Sequence, residues 1–363
     1  MAPPDIAPVE GCGVASAPCH GAVESAMTMR FGRVMGAVQA AVLGLLVVLQ
    51  AMPLCGRVAF AADGQRAERS HRVPKLLRDI ERRTFNYFWQ ETRADNGLAP
   101  DRVPWDEPFA SVAAVGFALT AYPLGVERGW ISREQARERT LATLRFLHDA
   151  PQGSGEQGMA GYHGFFYHFL HLDTGARYAP WVELSSVDTA LLLGGVLFAQ
   201  SWFDQDQPDE RAIRDLAEAI YQRVDWTFLQ VRAPLLSMGW HPESGFISHD
   251  WIGYNEGMLV YVLALGSPTH PIGEDAWAAW QGDYANSWGR FYGQSHLGFG
   301  PLFGHQYSHV WIDFRGIQDA FTRGKGIDYF ENSRRATLAQ RAYAVDNPQD
   351  FKGYDRYVWG LTA

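Results

Sequence analysis

Glu256 is the residue with the most to explain. It closes Trp251-Ile252-Gly253-Tyr254-Asn255-Glu256, at the head of an almost wholly apolar run from Met258 to Leu265. Such a run suits a helix buried among others, with Glu256 in its first turn. A carboxylate entering an apolar bundle costs several kcal/mol unless it is paired or protonated. Glu183 and Asp188 repeat the pattern, opening the apolar Thr189 to Phe198 run. Acids at helix starts also cap N–H groups and complement the helix dipole, so capping and catalysis both stand for each. Two acid-headed apolar helices with aromatic neighbours suggest one shared cleft. Cleaving a glycosidic bond needs two carboxyl groups facing it.

Other clusters carry less. His305, His309 and Asp313 fall at i, i+4 and i+8, and a helix from Ser308 to Phe321 would give a metal site one face. His305 precedes that helix, however, and Tyr307, Trp311 and Phe314 crowd the segment. It reads as a set of groups for gripping hydroxyls, and no metal or cofactor is expected. Arg315 has Asp313 or Asp319 as a partner. His163, His168 and His171 alternate too irregularly to form a metal site on one strand. Gly153 to Gly158 matches the dinucleotide fingerprint in letters, but it follows a helix and opens none. Asp173-Thr174-Gly175 is an isolated turn. There is no G-x-S-x-G and no phosphate-binding loop.

Composition narrows the class. The 363 residues carry a net charge of −9 and no broad basic patch, which argues against nucleic acid as a partner. Aromatic residues make up 13% of the chain, many of them in Gly/His-rich segments. Trp181, Trp251, Tyr254 and Trp311 are candidate platforms for sugar rings. Met29 to Arg33 is a short basic start, Val34 to Leu54 is apolar, and Ala59-Phe60-Ala61 supplies a cleavage pattern. That order is read as a signal peptide over 29–61 rather than a membrane anchor. Residues 1–28 are read as lying upstream of the true start. Cys12, Cys19 and Cys55 all precede the cleavage point, so the mature chain would lack disulfides and thiol chemistry. A periplasmic or secreted monomer, free of the membrane after cleavage, is expected.

The elements that must position the acids are helices. After a linker over 62–73, helical spacing starts at Pro74 and recurs at Phe109–Tyr122, Ser132–His148, Ser185–Phe203, Pro208–Leu229, Glu274–Gln281 and Tyr329–Val345. A short strand is expected at Gly164–Leu172 and a hairpin between Leu236 and Ser248. No linker divides 74–363, which reads as one all-α domain. Paired helices joined by elaborate loops suggest an (α/α)6 toroid, with short β-hairpins around its cleft.

Several stretches together resemble the glycoamylase-like glycoside hydrolases. They are Glu183-Leu184-Ser185-Ser186-Val187-Asp188-Thr189-Ala190-Leu191-Leu192, Gly253-Tyr254-Asn255-Glu256 and Leu265-Gly266-Ser267-Pro268-Thr269-His270-Pro271. Pro301-Leu302-Phe303-Gly304-His305-Gln306-Tyr307-Ser308-His309 and Tyr329-Phe330-Glu331-Asn332-Ser333-Arg334-Arg335-Ala336 extend the likeness, which runs from about Leu76 to the last residue. The resemblance implies an (α/α)6 fold and endo-acting, inverting hydrolysis of β-1,2-glucan to sophoro-oligosaccharides. It implies Glu256 as proton donor, with Glu183 and Asp188 in the same cleft and His270, His305, His309 and Arg315 among substrate-binding candidates. It also implies a chain that continues past Ala363, so the toroid is expected to be incomplete. Transglycosylation of β-glucan and glycan binding without cleavage are the alternatives.

Overall fold

The computed structural model describes residues 74–104 and 108–361, and the readings for 1–73 lie outside them. The described chain is mostly helical. Its helices are α1 (Lys75–Glu91), α2 (Val112–Glu127), α3 (Arg133–Asp149), α4 (Ser186–Trp202) and α5 (Pro208–Gln222), then α6 (Met258–Leu265), α7 (Asp275–Trp280), α8 (Tyr284–Ser287), α9 (Ala320–Gly324) and α10 (Tyr329–Asp346). None of them is long and apolar enough to cross a membrane.

Glycine lets the two central helices touch. In α2 and α4, small and aliphatic residues occupy nearly every face, and most are buried. The helices meet at Gly116 and Gly195, where an added Cβ would run into the Leu191 and Gly116 carbonyls respectively. The Trp311 indole lies over Gly194 in the same way. Around this pair, α3 and α5 show the polar outer face of ordinary amphipathic helices. Ser132 caps α3 through a reciprocal bond with Gln135, as the sequence signals.

Small sheets hold the loops at one end of these helices. Strands β1 (Phe109–Ser111), β2 (Gly161–Tyr162), β3 (Phe165–Tyr167), β4 (Phe169–His171), β5 (Leu184–Ser185), β6 (Gly239–His241) and β7 (Gly245–Phe246) build two of them. One is a five-stranded antiparallel sheet in the order β2-β3-β5-β6-β7, and the other pairs β1 with β4. A third joins β8 (Trp288–Phe291) to β9 (Gln294–Leu297).

Four expectations change in detail. The single strand over Gly164–Leu172 is two strands in different sheets, broken at His168. The helix expected from Phe109 begins at Val112, because Phe109 to Ser111 pair with β4. The helix from Pro208 stops at Gln222, and a 3₁₀ turn over Trp226–Leu229 follows under an Asp225 cap. The helix over Ser308–Phe321 is absent: 3₁₀ turns cover Leu302–His305 and Tyr307–Val310, and α9 spans only Ala320–Gly324. Aromatic side chains around that segment are held by two different helices. Tyr307 and Trp311 both pack on Phe117 of α2, where Trp311 also donates to Thr120, while Phe314 packs on Tyr329 of α10. At i, i+4 and i+7 the three would share one helix face, which cannot meet both partners.

Candidate active site

A cavity of about 600 Å³ opens where these loops meet, and Glu183, Asp188 and Glu256 all line it. Its walls include Tyr87, Phe88, Phe117, Met238, Trp251 and Tyr307, so aromatic faces and carboxylates share the space. That is the lining a sugar-binding cleft requires: flat apolar faces for the rings and a few convergent polar groups.

Each acid is held by a different local device. Asp188 sits in the first turn of α4, where its backbone N–H bonds Ser185 Oγ at 3.2 Å. The Ser185 hydroxyl in turn donates to Asp188 Oδ2 at 2.5 Å. Ser185 is thus the cap of α4; Asp188 stands in the first turn, where a carboxylate complements the helix dipole, and its side chain faces the cavity. Glu183 lies before β5, outside the helix start. The loop ahead of it is gripped by buried Arg177, which donates to the Val182 carbonyl at 2.7 Å and pairs with Glu243 at 2.6 Å. Glu256 precedes α6 altogether, for Gly257 is the N-cap residue and Met258 the first helical one. Gly253, at φ +76°, makes the turn that a side chain would resist. Asn255 then closes it, accepting from Gly257 N–H at 2.9 Å and donating to the Ile252 carbonyl. Trp251 ties the two acid-bearing segments together, its indole N–H donating to Ser186 Oγ at 2.8 Å.

The electrostatics separate the three acids. Burial, followed by the nearby negative charge of Asp188, pushes Glu256 up to about 7, although His168 pulls the other way. No hydrogen bond to its carboxyl contributes among the described residues. Glu183 is driven up by burial too, but the hydrogen bond and charge of His168 more than offset this and leave it below its ordinary value. Burial raises Asp188 above the usual carboxylate range, against the pull of His168 and Ser185. One cavity thus holds a carboxyl that keeps its proton near neutrality and another that stays ionised.

His168 supplies the difference. Its Nδ1 lies 2.9 Å from Glu183 Oε1 and its Nε2 3.4 Å from Asp188 Oδ1. Ligand atoms of these three residues lie within 4.8 Å of one another, as a cation site would need. The two nitrogens point to different acids, however, so the ring bridges them instead of offering one corner of such a site.

Comparison with known proteins gives the family of the chain. The Glycoamylase family model, described as "Putative glucoamylase", matches residues 248–363. A solved structure of the same description from Bacteroides uniformis is 33% identical, with a TM-score of 0.71 over 79% of this chain and 70% of that one. The chain belongs to the glycoamylase-like family. An endo-β-1,2-glucanase from Chitinophaga pinensis, solved with sophorotriose and glucose, is 27% identical at TM-score 0.69, covering 79% of this chain and 71% of that one. An exo β-1,2-glucooligosaccharide sophorohydrolase acting at the non-reducing end, from Parabacteroides distasonis, is 29% identical over 319 residues. The match covers 80% of this chain and 42% of that protein, so the chain spans about two fifths of the length of this curated relative.

The remaining candidates of this glycoamylase-like chain sit in varied places. Trp251 lines the cavity as a buried wall. Trp181 is 58% exposed, edge-on to Phe169, the residue on which His168 stacks. Tyr254 is 3% exposed and packs on Tyr329 and His305, inside the core rather than at the cavity. His305 is also buried, its Nε2 bonded to the Phe299 carbonyl, and burial lowers it to about 4. His309 packs on Phe314 and is lowered to about 4 by burial as well. Neither histidine lines the cavity, and with no helix there the expected common face with Asp313 does not form. Trp311 bonds Thr120 behind the cavity wall, exposed His270 lies near Asp225, and exposed Arg315 pairs with Asp313 over Phe330.

Sequence reasoning passed over His168, Asp101, Tyr87 and Phe117, which all line the cavity. For His168 the signal was available in part. His168 is the polar residue inside the otherwise apolar run Phe165-Phe166-Tyr167-His168-Phe169-Leu170, the same kind of exception that marked Glu256.

Proposed function

We propose that this chain forms the catalytic cleft of a β-1,2-glucan hydrolase, with Glu256 as the proton donor. The observation that carries the reading is the pairing of opposite proton affinities in one aromatic-lined cavity. Glu256 holds its proton to about pH 7, while Glu183 remains charged. Glu256 would protonate the glycosidic oxygen as the bond to the anomeric carbon breaks. Water attacks that carbon, and its proton leaves to an ionised carboxylate, for which Glu183 is the group held charged. Asp188, anchored by Ser185, would orient the sugar or the water. The relatives named for β-1,2-glucan chemistry support the choice of linkage.

The finer parts of the reading belong with it: an (α/α)6 ring, inversion at the anomeric carbon, and action outside the cytoplasm after loss of the signal peptide. Endo action is proposed, with exo release of sophorose as the second reading because of the Parabacteroides distasonis relative. Incubating the protein with linear β-1,2-glucan separates them. Endo cleavage yields a spread of sophoro-oligosaccharides from the first minutes, and exo cleavage yields one short product throughout. NMR of fresh products reads the anomeric configuration. Wild-type turnover by a folded Glu256→Gln variant would sink the assignment of the donor.

A further inference from the structure

The break between β3 and β4 gives His168 a place between the acids of the cavity. Its backbone N–H donates to the Glu183 carbonyl at 3.0 Å, and its carbonyl accepts from Val112 N–H at 3.1 Å. Both backbone groups are therefore committed at the seam between the five-stranded sheet and the β1–β4 pair. The ring lies flat on Phe169, centroids 3.8 Å apart, which leaves its edge nitrogens free to meet Glu183 and Asp188. Resting on the catalytic reading above, we propose that His168 is the positioning residue of this site, a bridge that fixes where negative charge stands relative to Glu256.

A neutral imidazole carries one N–H and presents it to one acid, whereas the imidazolium donates to Glu183 and also turns a positive N–H toward Asp188. The charged groups that face the ring favour the second form. They are Glu183 ahead of β5, Asp188 on α4 and Asp101 ahead of β1, and Glu256 ahead of α6, which keeps its proton to about pH 7, completes the set of acids around the ring. Burial opposes the charge most strongly, but the Glu183 hydrogen bond and the charges of Asp188 and Glu183 together raise the ring above its ordinary value. At Glu256 the imidazolium works against Asp188, whose negative charge favours the retained proton. Removing the ring charge therefore makes Glu256 hold its proton to higher pH. It also frees Glu183 and Asp188 to turn away from the sugar.

The test uses two variants of the whole chain and one measurement made without substrate. In His168→Asn the amide nitrogen replaces Nδ1 and keeps the Glu183 bond, while in His168→Gln it replaces Nε2 and keeps the contact with Asp188. Both lose the charge. We expect kcat on β-1,2-glucan to fall tenfold or more in each, on the scale of about a hundredfold for misplaced groups, with a smaller change in KM. The alkaline limb of the pH–rate profile should move to higher pH in both, which a merely structural role would not produce. In the wild-type protein, ¹⁵N NMR of the imidazole should show both nitrogens protonated above pH 6.5. A neutral ring below that pH, or variants with unchanged kcat and an unmoved limb, would overturn the proposal. A wild-type protein inert on every glucan removes the catalytic reading and the positioning role with it. The NMR titration tells that outcome apart from failure of the bridge itself.

Discussion

Glu183 and Glu256 face one cavity from comparable places, each a few residues ahead of an apolar helix, and they hold protons in opposite ways. Glu183 has His168 at 2.9 Å and lies below its ordinary value. Glu256 has no such partner, and burial with the charge of Asp188 lifts it to about 7. Residue type and position along the chain are the same in kind, so the partner makes the difference. The two also pull stability in opposite directions. The lowered Glu183 adds stability that is present above the unfolded value of about 4.5 and is lost as pH falls through the folded one. For Glu256 the folded state keeps a proton that the unfolded chain releases above 4.5. Stability therefore drops between pH 4.5 and about 7.

The largest expected effect is catalytic. Glu256→Gln should lower turnover by about 10²- to 10⁴-fold, the usual share of a proton donor, as read by reducing ends released from β-1,2-glucan. The same residue should limit the wild type at alkaline pH, with activity falling as pH rises through about 7. A profile flat from pH 6 to 9 breaks the comparison.

Next comes the stability of that variant. Lifting a carboxyl from 4.5 to about 7 costs the folded state about 3 kcal/mol above pH 7. Glu256→Gln should therefore be more stable than wild type at pH 8, by up to that amount, with a smaller gain at pH 5. Denaturant melts at the two values measure the difference. A variant that is destabilised equally at both would mean that Glu256 is a structural acid.

Gly195→Ala is the control from the scaffold. Its Cβ meets the Gly116 carbonyl where α2 and α4 cross, and overpacking of this kind costs about 1–3 kcal/mol. The loss should be the same at pH 5 and pH 8, because no titrating group moves. A pH-dependent loss would show that the crossing and the acids are coupled.

The smallest effect belongs to Trp181→Ala at the exposed edge. Loss of one stacking face is expected to cost about 0.5–1.5 kcal/mol, by analogy with aromatic pairs. That is a severalfold rise in KM for glucan with kcat held. Unchanged KM would place the indole outside the substrate path.

The legible parts of the sequence were those that local physics decides. The Ser132 cap, the apolar runs of α4 and α6, and the Leu236–Ser248 hairpin all follow from short-range chemistry, and each formed close to where it was read. The acids at the heads of those runs were legible for the same reason. A charged residue beside eight apolar ones violates the pattern and asks for an explanation. The segment from Ser308 to Phe321 misled. Its helical spacing was real, but Trp311 packs on α2 and Phe314 on α10, and tertiary packing outweighed the local preference. Tyr254 and His305 misled in the same way, since a motif does not tell a buried ring from one that faces a cleft.

By itself, then, the sequence determined a helical chain with carboxylates set at the mouths of buried apolar segments. Period, capping and hydrophobic burial act over a few residues and are written in order along the chain. Which acid would keep its proton was decided only by the tertiary structure. His168 is 15 residues from Glu183 and 20 from Asp188 along the chain, and a strand that leaves one sheet for another brings its ring between them. Trp251 bonds across 65 residues to join Glu256 to the same wall. Electrostatic coupling depends on distance in space and on exclusion of water, and neither is a property of spacing along the chain.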